Sequence, residues 1–182
     1  MRPGILLLGD PLLRRSAMEV ENLSSPEIRG DIAALMETLE DFRAAKGFGR
    51  GVSAPQIGIS RKILAINLGK GTFVLINPKI TRKSGAKFTL WDDCMSFPDL
   101  FVRVERSLSI DVEYLDEGGA NNEWKNLGQA ESELLQHEID HLHGVLAIDR
   151  ALDRESLVYR PLFTERRAYF ERMVDYCIAP TI

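Results

Sequence analysis

Residues 134–144, LLQHEIDHLHG, restrict what this chain can fold into more than any other stretch, because they hold all three histidines and two of these bracket a glutamate as His-Glu-x-x-His. On an α-helix each residue turns about 100°, so His137 and His141 lie one turn apart on the same face, within joint reach of one cation. By the same geometry Glu138 is rotated about 100° from His137 and about 60° from His141. It therefore stands beside a cation without binding it, the place of a general base acting on metal-bound water. His143 turns away from the pair and reads as a polar residue at the helix end. Leu134, Leu135, Ile139 and Leu142 supply a buried stripe, and Gly144 a stop signal. The plainer alternative is two histidines on a solvated face.

With 182 residues, 45% of them hydrophobic, the chain is expected to form one globular domain over residues 1–182 with a sizeable core. A net charge of −4 argues against a dedicated nucleic-acid surface, so DNA is not an expected partner. No run approaches the ~18 apolar residues of a membrane span. Near the start, the apolar run of residues 5–8 is broken by Gly9, Asp10 and Pro11, too short for a signal peptide. A cytoplasmic protein is the expectation, and two cysteines in that setting do not make a disulfide framework.

Elsewhere the pattern predicts α+β architecture without repeats. Ser25-Pro26-Glu27 reads as a helix start, followed by Ile28, Ile32, Leu35, Met36, Leu39 and Phe42 at helical spacing, with Gly47 as the end. A glycine-rich loop follows. Strands are predicted over residues 62–68 and 72–76 across a Gly-Lys-Gly turn, and Leu108, Ile110, Val112 and Tyr114 alternate with polar residues as in an antiparallel sheet. Residues 164–177 read as a last amphipathic helix, with Phe170, Met173, Val174 and a buried Cys177 on one stripe.

Cys94, in LWDDCMSFPD, stands where an extended segment would end. A thiolate with two imidazoles and one open position makes a tetrahedral site of the catalytic kind. The competing reading is a buried apolar cysteine. A metallopeptidase would instead take its third ligand after Gly144. The metzincin position there is Ala147, and Asp149, Asp153 or Glu155 would have to serve in a thermolysin-like shell.

Three stretches carry a resemblance: GRGVSAPQ (residues 49–56), DDCMS (92–96) and QHEIDH (136–141), with LLGDPLLRR near the start. In order and spacing they resemble the peptide deformylases. The family patterns are Gly-x-Gly-apolar-Ala-Ala-x-Gln, Glu-Gly-Cys-Leu-Ser and His-Glu-x-x-His. The resemblance implies an α+β domain of antiparallel or mixed sheets around a central metal-binding helix, with N-terminal and C-terminal helices. It implies a hydrolase that removes the formyl group from the N-terminal formyl-methionine of newly made polypeptides and releases formate. Cys94, His137 and His141 would hold one divalent ion, iron(II) in this family, with zinc, nickel or cobalt as substitutes. Glu138 would move the proton, and the Gln56 side-chain amide and Met95 backbone N–H would meet the oxyanion. Gly49, Arg50 and Gly51 would dock the peptide main chain as an added strand. Leu134 would line the pocket for the first side chain, with Leu90, Glu133 and the stem of Arg50 around it. Nascent chains would be the partner, with ribosome contact and a monomer or homo-oligomer left open.

The departures are Asp92-Asp93 for Glu-Gly, Met95 for Leu and Ser53 for Ala. Asp92 keeps a carboxylate for orienting a ligand, toward Arg106 or Arg103. Asp93 adds bulk and charge where glycine would permit close approach or positive φ. It is expected to alter substrate affinity or preference. A deformylase-like protein without catalysis is the alternative, against which the retention of Glu138 and Gln56 argues.

Overall fold

The computed structural model describes residues 4–179. Its centre is a five-stranded antiparallel sheet in the order β1 (Gly51–Ser53), β2 (Ile63–Asn67), β3 (Thr72–Lys83), β6 (Ile110–Leu115), β7 (Asn121–Leu127). β2 is the sequence ILAIN, buried along its whole length. The apolar run of its first four residues needs cover on both faces, and two helices provide it. Ile63 and Ala65 pack with Ile28, Ile32, Leu35 and Leu39 of α1 (Pro26–Lys46). Leu64 and Ile66 pack with Leu134, Leu135, Ile139 and Leu142 of α2 (Gln129–Leu142). The period of two in a strand thus decides which helix each residue meets.

A three-stranded antiparallel sheet, β4 (Lys87–Asp93), β5 (Leu100–Ser107) and β8 (Leu157–Tyr159), closes the other side of α2. Phe88 and Leu90 face a cluster with Leu13, Val102, Val104 and Leu146, while Trp91 faces Val158, Phe163 and Phe170. The same alternation sends Asp92 and Asp93 to opposite faces, which organises the site described below.

α1 and its Gly47 end, β2, the turn after it and α2 fall where the sequence places them. β3 runs seven residues beyond the predicted 76, past a bulge where Asn77 (φ 49°) exchanges hydrogen bonds with the backbone of Val20. The predicted helix over residues 164–177 is a correction. The chain makes two short helices, α3 (Arg160–Glu165) and α4 (Arg167–Glu171), then turns through residues 172–175 and bridges to β4 at Tyr176, where the N–H groups of Asp175 and Tyr176 donate to Thr89 O. Cys177, expected in the core, is exposed.

Candidate metal centre and its cavity

α2 is buried over most of its length. Gln136 anchors it: its amide nitrogen donates to Ser107 O at 3.0 Å, and the Ser107 N–H donates to its carbonyl oxygen at 3.0 Å. Ser132 Oγ adds a bond to the same Ser107 O. This joint to the end of β5 holds the helix against axial slip, so His137 and His141 present fixed nitrogens. His143 closes the helix, its Nδ1 at 2.9 Å from Ile139 O, away from the other two.

Cys94 follows the end of β4 and brings its sulfur to 3.3 Å from His141 Nε2, which is itself 3.2 Å from His137 Nε2. All three ligand atoms lie within 4.8 Å of one another and all three residues are buried. The other nitrogen of His137, Nδ1, donates to Asp92 Oδ2 at 2.9 Å. Burial alone would raise the Asp92 carboxyl, but His137 and Arg106 outweigh it and hold it at about 2. Asp92 is therefore an anion that holds the Nδ1 proton, so that Nε2 is the His137 nitrogen turned toward His141 and able to exchange a proton for a metal ion. A sulfur and two imidazole nitrogens that converge this closely need protons or a metal cation between them. That donor set fits a divalent transition metal with an open fourth position.

The protonation of the cluster follows its charges. Burial lowers the His137 imidazole, yet Asp92 and Cys94 carry it well above its ordinary value. Burial and the neighbouring His137 push His141 well below, and burial raises the Cys94 thiol. Behind Asp92 stands Arg106, 3% exposed, bonded to Asp92 Oδ2 at 3.1 Å and Asp140 Oδ2 at 2.5 Å. Asp140 is also gripped by Arg150. Of the two arginines expected near Asp92, Arg106 is the partner, and Arg103 pairs with Asp153 instead.

The facing wall comes from the glycine-rich segment. Ser53 donates through both its N–H (2.9 Å) and its Oγ (3.0 Å) to Gln56 Oε1, turning the amide so that Nε2 points to Ser96 Oγ (3.2 Å) and Cys94 Sγ (3.5 Å). Serine in place of alanine thus adds a grip on the glutamine. A Cβ on Gly51 would come within 2.6 Å of Glu138 Oε1, and one on Gly49 (φ +110°) within 2.7 Å of Met95 Cε. Gly51 permits the close approach of Glu138, and Gly49 that of Met95. Glu138 Oε2 is buried without a hydrogen-bond partner among the described residues, and burial pushes its carboxyl up to about 7.

These groups line one cavity of about 320 Å³, into which Gly49, Arg50, Gly51, Gln56, Asp93, Cys94, Met95, Leu134, His137 and Glu138 all open. Leu90 does not: it is fully buried in the cluster behind β4. Asp93 lies in extended backbone at the end of β4 without positive φ. Its carboxylate bonds Arg160 Nη2 at 2.7 Å, away from the sulfur ligand, and Arg160 stacks over Phe101 at 4.3 Å. Arg160, Phe101 and Tyr176 were not legible as site residues, since each arrives from a distant element. Asp149 and Asp153, needed for a peptidase shell, are bonded to Arg14 and Arg103, and Glu155 is exposed outside the cluster.

The sequence profile of the family described as polypeptide deformylase matches residues 3–156. The peptide deformylase of Thermotoga maritima is 35% identical over 156 residues, 86% of this chain and 91% of its own length. Its crystal structure superposes with a TM-score of 0.76 at 34% identity, covering 84% of this chain and 99% of that one. A Synechococcus elongatus peptide deformylase solved in complex with actinonin gives 0.76 at 32% identity, covering 94% and 87%. Geometry, profile and relatives agree, and the chain belongs to the polypeptide deformylase family.

Proposed function

We propose that this chain, as one catalytic domain over residues 1–182, hydrolyses the formamide at the N-terminus of newly made polypeptides, releasing formate and a free amine. The observation that carries it is the convergence of Cys94, His137 and His141 beside a buried, unpartnered Glu138 oxygen and an oriented Gln56 amide. A divalent ion held by the three ligands supplies a Lewis acid that polarises a carbonyl and acidifies water, with iron(II) as the proposed resident and zinc, nickel or cobalt as substitutes. Glu138 Oε2 takes the proton from the attacking water and later delivers it to the departing nitrogen. A carboxyl raised toward neutrality suits both transfers. Gln56 Nε2 and the Met95 N–H donate to the oxygen that gains charge. β1 is the edge of its sheet, so its free side offers main-chain groups to an extended peptide beside Gly49, Arg50 and Gly51.

No helix among the described residues is long and apolar enough to cross a membrane. We place the enzyme in the cytoplasm, acting on nascent chains as they leave the ribosome. The test is formate release from a formyl-methionyl peptide by iron(II)-loaded protein handled without oxygen. Glu138→Ala should keep the metal and lose roughly 10²- to 10⁴-fold in kcat. Equal rates in the two proteins would overturn the assignment.

A further inference from the structure

Deformylation by the groups above gives no role to an ion pair in the cavity wall other than Asp93–Arg160. Arg50 Nη2 lies 2.5 Å from Glu133 Oε1, with side chains 12% and 2% exposed. Glu133 sits one turn before His137 on the same face of α2. Arg50 lies between the glycines against which Met95 and Glu138 pack. Both line the cavity with Leu134, and Tyr176 is close enough to feel both charges.

A guanidinium carries five N–H donors. Among the described residues Arg50 uses two groups, Nη2 to Glu133 and Nη1 to Ala130 O at 3.4 Å, and Glu133 receives only Arg50. Donors and an acceptor are thus left facing the space a substrate side chain would enter. A thioether or aliphatic tip would displace water from them and return no hydrogen bond. An amide tip returns both kinds, an acceptor for Arg50 and a donor for Glu133. Arg50 and Glu133 are each other's counter-ion, so a charged tip gains none from this pair. Sites with buried hydrogen-bonding groups reject ligands that leave those groups unpaired.

We propose that the Arg50–Glu133 pair makes this site select, at the residue carrying the formyl group, a neutral side chain ending in a hydrogen-bonding group, such as glutamine, over an apolar one such as methionine. This rests on the deformylase reading and departs from it in the first side chain alone: the chemistry is the same, and formyl-methionyl chains are its slower substrates. The test compares kcat/KM for formyl-Gln-Ala-Ser and formyl-Met-Ala-Ser on metal-loaded wild type and on Arg50→Leu/Glu133→Leu, with metal content and cooperative melting as checks of folding. The glutamine-to-methionine ratio should exceed one in the wild type and fall by roughly tenfold or more in the double variant. Calorimetric binding of the two peptides to Glu138→Gln should follow the wild-type order, and neither that order nor the wild-type ratio depends on the double variant folding. A wild-type ratio below one, or a ratio unchanged in a folded double variant, would overturn the proposal and leave deformylation standing. Formate from neither peptide would overturn both.

Discussion

Glu138 and Gly51 show how much of this site depends on what a residue lacks. A methyl group at position 51 would press on the Glu138 carboxylate at 2.6 Å, and a displacement on the order of 1 Å in a reacting group costs about 10²-fold. Gly51→Ala should therefore lower kcat by roughly that factor with bound metal unchanged, measured by formate release and metal analysis. Replacing a glycine by its nearest neighbour would then resemble removing the base. His137, His141 and Glu138 were legible in the sequence because helical spacing restricts them locally, whereas Cys94 stood out through the resemblance carried by the motif around it. Arg106, Ser53 and Gln136 were less so, since their meaning lies in partners: Gln136 meets Ser107 across 29 positions and Arg106 meets Asp140 across 34. The identity of the partner of Asp92 was open between two arginines, and only the fold chooses. Asp93 looked like an intrusion beside the sulfur ligand. Strand alternation and Arg160 turn its charge aside, so its effect is on the cavity wall rather than the ligand set.

At the level of elements, α2 and β2 were readable for opposite reasons, one by its period and the other by its lack of one. The end of α2 adds a constraint that periodicity does not reveal. Gly144 takes φ +71°, and a Cβ there would stand 2.4 Å from the backbone oxygen of Arg14. Left-handed strain and a clash with main chain together give Gly144→Ala a cost of about 2 kcal/mol or more. For a chain of this size that is a fall of roughly 4–8 °C in Tm, measurable by thermal melting. The C-terminal segment was misread because its apolar residues repeat at helical spacing while burying themselves another way. Phe170 stacks with Phe163 and meets Trp91 edge-on, and the Trp91 indole N–H donates to Phe170 O, after which the backbone finds partners on Thr89 rather than in a further helical turn. An available strand edge competed with the helix, and a sequence pattern does not record that edge.

Over the whole molecule, proton uptake links the site to stability. Asp92 titrates at about 2 in the fold, below an ordinary carboxyl near 3.9. A depressed folded pKa gives stability that is present above the unfolded value and is lost as pH falls through the folded one. The metal-free protein should therefore lose stability between about pH 4 and pH 2, and Asp92→Asn should flatten that loss, as read from denaturant unfolding at each pH. Metal binding runs in the same direction, at higher pH. His137 is raised by Asp92 and Cys94 against its burial, and Cys94 is raised by burial, so protons compete for both ligands as the metal enters. Affinity measured against a competing chelator should increase by about tenfold or more per pH unit from pH 6 to 8. Finally, residues 174 and 176–179 form part of the cavity wall. A purification handle, fluorophore or fusion partner joined directly after residue 179 would begin at the cavity wall, and rates from such a hybrid describe the appendage as much as the enzyme.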